Sequence, residues 1–164
     1  MDRVAAALDF LQQYDPHRLA GLRRDADGIF VFLTAGALAE WESGARLVVL
    51  DERHVLDPQT SAARLASTLV HEATHARLDR LGFRYAAERR ARIEGICFRR
   101  EIAFARRLPE PGDLVPTAER QLTREPEYWT DQAFRERTAA ELERLGVPSW
   151  LVRILERMSR RWAA

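Results

Sequence analysis

The segment 65–82, LASTLVHEATHARLDRLG, carries two of the chain's four histidines inside a helical pattern. At about 100° per residue, His71 and His75 lie together on the side of this helix opposite its apolar arc. The arc faces the core, so the two imidazoles are not core side chains and face either solvent or a cleft. Members of the arc are Leu65, Leu69, Val70, Ala73 and Ala76, with Ala62, Ala66 and Leu81 inside it.

The two histidines belong to the pattern H-E-x-x-H, formed by His71, Glu72 and His75. Histidines four residues apart place two imidazoles one helical turn apart, which suits the binding of one Zn²⁺. The glutamate between them can take a proton from a metal-bound water. The pattern therefore predicts a catalytic zinc site with Glu72 as the general base. A surface helix that carries two exposed histidines is the alternative.

A metal site needs a third protein ligand, and the helix predicted over 85–108 offers two candidates. Most of its arginines fall on one side, whereas Glu94 and Glu101 fall in the middle of the apolar side, two turns apart. A carboxylate on an apolar face is costly unless it is paired or bound to a metal. The alternative to metal binding is a buried salt bridge, for example with Arg90. We predict Glu94 as the ligand.

His71, Glu72 and His75, followed by Glu94 on the next helix, resemble a zincin metallopeptidase of the gluzincin type. Glu94 lies 19 residues after His75, and the segment EGICFRREIAFARRLP is similar to the minimal bacterial gluzincins that cleave repressors. The resemblance covers roughly residues 46–109. It implies a zincin-like fold in which His71, His75 and Glu94 bind Zn²⁺. The metzincin pattern does not fit, because it requires glycine and histidine where this chain has Leu78 and Leu81.

The chain departs from gluzincins of the thermolysin type at Phe98, where that group has an aspartate that orients a ligand histidine. Ligand histidines usually donate their other N–H to a carboxylate or a carbonyl. Glu101 and Asp79 are the candidates for this role. Asp79 also follows His75 by one turn, so it is either a third ligand or a charge at the surface end of the helix.

The group that stabilises the transition state is left open by the sequence. His54, Tyr85 and Tyr128 are candidates, each with a structural role as the alternative. Cys97 lies one turn after Glu94 on the predicted helix. Its default interpretation is a packed core thiol, and the alternative is a thiol that approaches the metal site.

The remaining patterns predict a mostly helical α+β fold, a single zincin-like domain over residues 1–164, with two long helices carrying the metal site. Helical spacing covers 3–14, and DPHR ends that helix. Three short apolar segments over 28–52 predict a small antiparallel sheet. The strand over 45–52 is expected to form the sheet edge on which an extended substrate lies. The metal helix is capped by Asp57 or Thr60 and ends near Gly82, and 109–117 is the expected mobile loop.

The composition of the chain limits the classes of partner that it is expected to bind. Charged residues make up 31% of the 164 residues but nearly cancel to +1, which argues against nucleic acid or an anionic membrane as the partner. All 26 basic residues are arginines. The single cysteine excludes an intrachain disulfide and fits a reducing compartment. With neither a signal-peptide pattern at the start nor an apolar run of about 18 residues, the expected location is the cytoplasm.

The patterns favour a zinc-dependent peptidase with a peptide or protein substrate. The alternative is a zincin-like metal-binding domain that acts as a regulatory or interaction protein, with weak or no proteolysis. The retained Glu72 favours the enzyme, because a structural zinc site needs no base and usually closes its fourth position. A helix that binds nucleic acid through its arginines ranks below both, since glutamates dilute its charge.

Overall fold

The fold was obtained as a computed structural model, which describes the backbone of residues 2–162 and the side chains of 2–155. The chain divides into two compact units, Met1–Arg124 and Glu125–Ala164. The first unit comprises α1 (Asp2–Tyr14), α2 (Pro16–Asp25), β1 (Gly28–Phe32), β2 (Ala39–Glu42), β3 (Leu47–Asp51), α3 (Glu52–Leu56), α4 (Ala62–Arg80), a 3₁₀ turn (Ala87–Arg89), α5 (Arg90–Ala105) and α6 (Leu114–Leu122). This confirms the predicted α+β class with a predominance of helix. A single domain over 1–164 stays a prediction.

The three strands form a mixed sheet in the order β1-β3-β2, so the prediction of an antiparallel sheet is wrong. β2 runs antiparallel to β3, but β1 runs parallel to it, with Gly28 opposite Leu47 and Phe32 opposite Asp51. β3 is therefore the central strand, and the prediction that it forms the edge is also wrong. Val48 and Leu50 point to one face of β3 and are fully buried, and both edges of the strand are hydrogen-bonded, one to β1 and the other to β2, so neither edge is left for a substrate.

The helix that carries the histidines lies at the centre of the first unit, where α1, α2 and α5 all pack against α4. Leu65, Leu69 and Val70 of α4 are buried, together with Phe104 of α5, which confirms most of the predicted apolar arc. The prediction of Leu81 as a member of the arc is wrong, because this residue lies just after the end of α4 and is 51% exposed. The helix is capped by Ser61, whose hydroxyl accepts a hydrogen bond from the amide of Arg64. The prediction of Asp57 or Thr60 as the cap is therefore wrong: Asp57 instead ends α3, and Thr60 lies one residue before the cap.

Three helical boundaries differ from the sequence prediction. Asp15 ends α1 but also caps α2, because the proline after it suits the first position of a new helix. The second long helix begins at Arg90, after a 3₁₀ turn, instead of near Tyr85. The prediction of a loop over 109–117 is wrong for 114–117, which form the first residues of α6, a helix that packs on α5 through Leu114 and Ala118.

Buried carboxylates fix the ends of these elements. Asp51, at the end of β3, accepts hydrogen bonds from the amide and hydroxyl of Thr34 at 3.0 and 2.9 Å, and it caps α3. Asp25, at the end of α2, forms ion pairs with Arg24 at 2.8 Å and with Arg80 of α4 at 2.7 Å. The Arg24 hydrogen bond outweighs burial and lowers the pKa of Asp25. These contacts tie α2 to α4, the helix that carries His71 and His75, and they tie the end of β3 to α3.

The second unit contains a 3₁₀ turn (Pro126–Trp129), α7 (Asp131–Arg144) and α8 (Ser149–Trp162). The Thr130 hydroxyl caps α7 by accepting a hydrogen bond from the amide of Ala133. Gly146, with φ at +86°, ends the turn after α7 in a conformation that glycine adopts without strain. Within the described parts of both units, no helix has the length and apolar character needed to cross a membrane.

Candidate metal centre

Helix α4 presents His71 and His75 one turn apart toward α5, with their ring centroids 4.9 Å from each other. Their side chains are only 12% and 10% exposed. The pair is therefore enclosed between two helices, so the alternative of two exposed surface histidines is excluded.

Glu94 of α5 contacts both histidines. Its carboxylate lies 3.1 Å from Nε2 of His71 through one oxygen and 3.6 Å from Nε2 of His75 through the other. Burial opposes ionisation of this carboxyl, but the hydrogen bond and charge of His71 and the charge of His75 outweigh burial and lower the pKa of Glu94 to about 2. Two imidazole nitrogens and one ionised carboxylate thus converge from two adjacent helices.

Glu101, two turns further along α5, contacts the opposite side of His71. Its Oε1 lies 2.5 Å from Nδ1 of His71, and its Oε2 accepts a hydrogen bond from the Ser67 hydroxyl at 3.1 Å. Burial would lower the pKa of His71, but its hydrogen bonds to Glu101 and Glu94 raise it well above the usual value. With Nδ1 held by Glu101, His71 directs Nε2 toward Glu94.

Glu72 is the least satisfied group of the cluster. It is 4% exposed, and within residues 2–155 its Oε2 is buried without a hydrogen-bond partner. The pKa of Glu72 is raised to about 8, mainly by burial. The negative charges of Glu94 and Glu101 contribute to this rise in pKa. An unpartnered carboxylate oxygen at this depth costs free energy unless a cation or a water supplies a partner.

His75 is neutral in this environment. Burial, followed by the charge of His71, lowers the pKa of His75 to about 4, although Glu94 acts in the opposite direction. A neutral imidazole keeps a lone pair available for a metal ion. The ring of Tyr85 stands edge-on to His75 at 5.3 Å between centroids, and that of Phe98 stands edge-on to His71 at 4.8 Å.

The three candidates for transition-state stabilisation lie in different places. The Tyr85 hydroxyl donates a hydrogen bond to Glu94 Oε1 at 2.5 Å, so it belongs to the cluster. His54 is buried between Thr60 and Thr68, whose hydroxyls lie 3.4 and 3.2 Å from its two ring nitrogens. Tyr128 lies in the second unit, where the guanidinium of Arg137 stacks over its ring at 3.9 Å.

Asp79 is directed to the sheet. Its Oδ2 accepts a hydrogen bond from the indole of Trp41 in β2 at 3.2 Å. Of the two carboxylates expected to orient a ligand histidine, the structure thus brings Glu101 to His71 and joins Asp79 to Trp41.

Cys97 is the member of the site that the sequence reasoning underrated. One ligating atom each from His71, His75 and Cys97 lie within 4.8 Å of one another, and the thiol is fully buried. Burial, followed by the charges of Glu94, Glu72 and Glu101, raises its pKa. The available signal was its position three residues after Glu94, which puts both side chains on one face of α5.

No known protein family matches this chain, and neither a curated protein nor a solved structure is significantly similar to it. The function is therefore argued from the geometry of the cluster itself.

Proposed function

We propose that this protein is a zinc-dependent metallopeptidase of the gluzincin type, with His71, His75 and Glu94 as metal ligands and Glu72 as general base. The observation that carries the proposal is the contact of the Glu94 carboxylate with Nε2 of both histidines, at 3.1 and 3.6 Å, from the helix that follows H-E-x-x-H. Two imidazoles and a carboxylate that leave a fourth position open are the ligand set of catalytic zinc sites.

The charges of the cluster support a divalent cation. The buried site is subject to the charges of three carboxylates, those of Glu72, Glu94 and Glu101. Ionised carboxylates in a buried site cost free energy unless a positive charge compensates them. The protonated His71 supplies one positive charge between Glu94 and Glu101. A divalent ion would take over this role, free the His71 lone pair and allow Glu72 to ionise. Imidazole and carboxylate ligands together favour zinc among the common divalent ions.

Each residue then has a definite part in peptide hydrolysis. The bound metal supplies Lewis acidity, which activates a water and polarises a carbonyl. Glu72 accepts a proton from the attacking water and delivers it to the leaving amine. Glu101 holds His71 in the tautomer that keeps Nε2 free of a proton. The Tyr85 hydroxyl, released from Glu94, can donate to the oxyanion of the tetrahedral intermediate.

The substrate-binding edge is β2, which replaces the strand predicted from the sequence. Among residues 2–162, no strand pairs with the outer edge of β2. The charge of Glu40 in β2 acts on Glu72, and Trp41 joins β2 to α4 through Asp79. An extended peptide that adds to this edge would lie beside the H-E-x-x-H helix. Glu40 and Glu42 are exposed there and favour a peptide with basic side chains.

The test is hydrolysis of a fluorogenic peptide library by the zinc-loaded protein and by Glu72→Gln at equal zinc content. We expect turnover by the wild type and a loss of at least about 100-fold in the variant, the contribution of a general base. Glu88→Gln is the matched control, because Glu88 lies in the turn just before α5 with an exposed side chain. Measurable turnover that is equal in wild type and Glu72→Gln would refute the mechanism.

One observation favours the second function, a metal-binding regulatory or interaction domain without proteolysis. Cys97 lies close enough to the histidines to join the ligand set, and a site with four protein ligands is typical of structural zinc. A zinc-loaded protein that hydrolyses no peptide, either as wild type or without this thiol, would favour this function.

A further inference from the structure

The buried thiol of Cys97 is the group in this site that the proposed peptidase mechanism leaves unused. Cys97 and Glu94 are three residues apart on α5, so both side chains face α4 and its histidines. The ligating atoms of His71, His75 and Cys97 lie within 4.8 Å of one another. Tetrahedral zinc with nitrogen and sulfur ligands places such atoms roughly 3.4 to 3.6 Å apart. Closing the three atoms around one ion therefore requires any two of them to approach each other by no more than about 1.4 Å.

The surroundings of Cys97 differ from those of a packed core thiol. Although fully buried, Cys97 stands outside the main apolar cluster that Leu65, Leu69 and Phe104 help to form. Carboxylates act on it instead, including that of Glu72, whose Oε2 is itself buried without a partner within residues 2–155. A thiol that lies close to two imidazoles and is subject to the charges of nearby carboxylates, one of which has an orphaned buried oxygen, suits a site that holds a cation.

We infer that Cys97 is a fourth protein ligand of the metal and that, together with His71, His75 and Glu94, it closes the site in the resting protein. This inference rests on the proposed metal site and adds its regulation. The thiol loses its proton to solvent as the sulfur–metal bond forms, and it regains a proton when that bond breaks. The position needed by the attacking water is free only in the second state. The protein is thus a latent peptidase whose activity depends on release of Cys97.

Cobalt substitution of the full-length protein tests the inference without measuring activity. Because Cys97 is the only cysteine in the chain, a thiolate-to-cobalt charge-transfer band in the near ultraviolet can come from no other residue. We expect one cobalt per chain with this band in the wild type, and one cobalt without it in Cys97→Ala. X-ray absorption of the zinc-loaded wild type should show a sulfur neighbour at about 2.3 Å. This second measurement needs no variant, so it holds even where Cys97→Ala folds poorly.

Peptide hydrolysis is then compared between zinc-loaded wild type and Cys97→Ala, with faster turnover expected in the variant. A wild-type protein that binds one cobalt or zinc without a sulfur ligand would overturn the inference and leave the proposed peptidase intact. A sulfur ligand with no hydrolysis by either protein would support the ligand assignment and refute the peptidase. Absence of stoichiometric metal binding would overturn both.

Discussion

The different positions of Glu94 and Glu101 on α5 lead to a quantitative prediction about metal affinity. Glu94 reaches Nε2 of both histidines, whereas Glu101 reaches only Nδ1 of His71, at 2.5 Å, and the hydroxyl of Ser67. The first contact is that of a ligand, and the second is that of a group that orients a ligand. Exchange of each carboxylate for an amide keeps the size of the side chain and removes its charge, so Glu94→Gln and Glu101→Gln form a matched pair.

The expected losses differ in size. Structural zinc sites with four ligands bind with about 10–16 kcal/mol. One ligand therefore contributes roughly 2.5–4 kcal/mol, or about 100- to 1000-fold in affinity. Loss of a hydrogen-bond partner behind a ligand histidine costs about 10- to 100-fold. Glu94→Gln should thus weaken zinc binding by about 100- to 1000-fold, and Glu101→Gln should weaken it by about 10- to 100-fold.

Competition with a chromophoric zinc chelator measures both affinities, and circular dichroism checks that each variant is folded. Glu88→Gln again serves as control, with an unchanged affinity expected, because its side chain is exposed. The reverse order, with the larger loss in Glu101→Gln, would refute the assignment of Glu94 and place the ion further along α5. Equal and complete loss in both variants would show that the whole carboxylate face is needed for the site to form.

Three further predictions concern pH and folding. In the metal-free protein, the free energy of unfolding should fall as the pH rises from 6.5 to 8. The folded protein keeps a proton on His71, whose pKa is raised above its usual 6.5, and on Glu72, whose pKa is about 8, whereas the unfolded chain loses both protons. The free energy of unfolding should change by about 1.4 kcal/mol per pH unit for each retained proton. Urea unfolding at several pH values measures this slope. Stability that rises over this interval would contradict the assigned protonation. Zinc affinity should rise with pH over the same interval, because zinc displaces these protons. Asp51→Ala should lower the free energy of unfolding by about 3–5 kcal/mol, since it removes a buried partner of Thr34 and the cap of α3. The control is Asp27→Ala, which removes an exposed ion pair and should cost under about 1 kcal/mol. Equal losses in the two variants would contradict the role of Asp51.

Local periodicity determined much of the candidate site. His71 and His75 lie on one side of α4 because residues four apart face the same way on any helix. The same rule put Glu94 and Glu101 on one face of α5, and the cost of a buried carboxylate marked both as needing a partner. The apolar arc of α4 was predicted correctly within the helix for the same reason, since each of these properties depends on neighbours within one or two turns; Leu81, beyond the end of the helix, is exposed.

Other features depended on contacts between residues far apart in the chain. Periodicity gives the face of a helix but not its position along the partner element. The packing of β2 on α4 joined Asp79 to Trp41, and only the packing of α5 on α4 could bring Glu101 to His71. The same packing brought Cys97 to the histidines, where the sequence favoured a core thiol. The parallel pairing of β1 with β3 also joins segments that are distant in the chain. The composition of a strand predicts little about whether it pairs in a parallel or an antiparallel direction. The sequence by itself thus determined which side chains could serve as metal ligands. The tertiary structure decided which of them come into contact, because contact depends on the position of one helix along the other and on the angle at which the two helices cross.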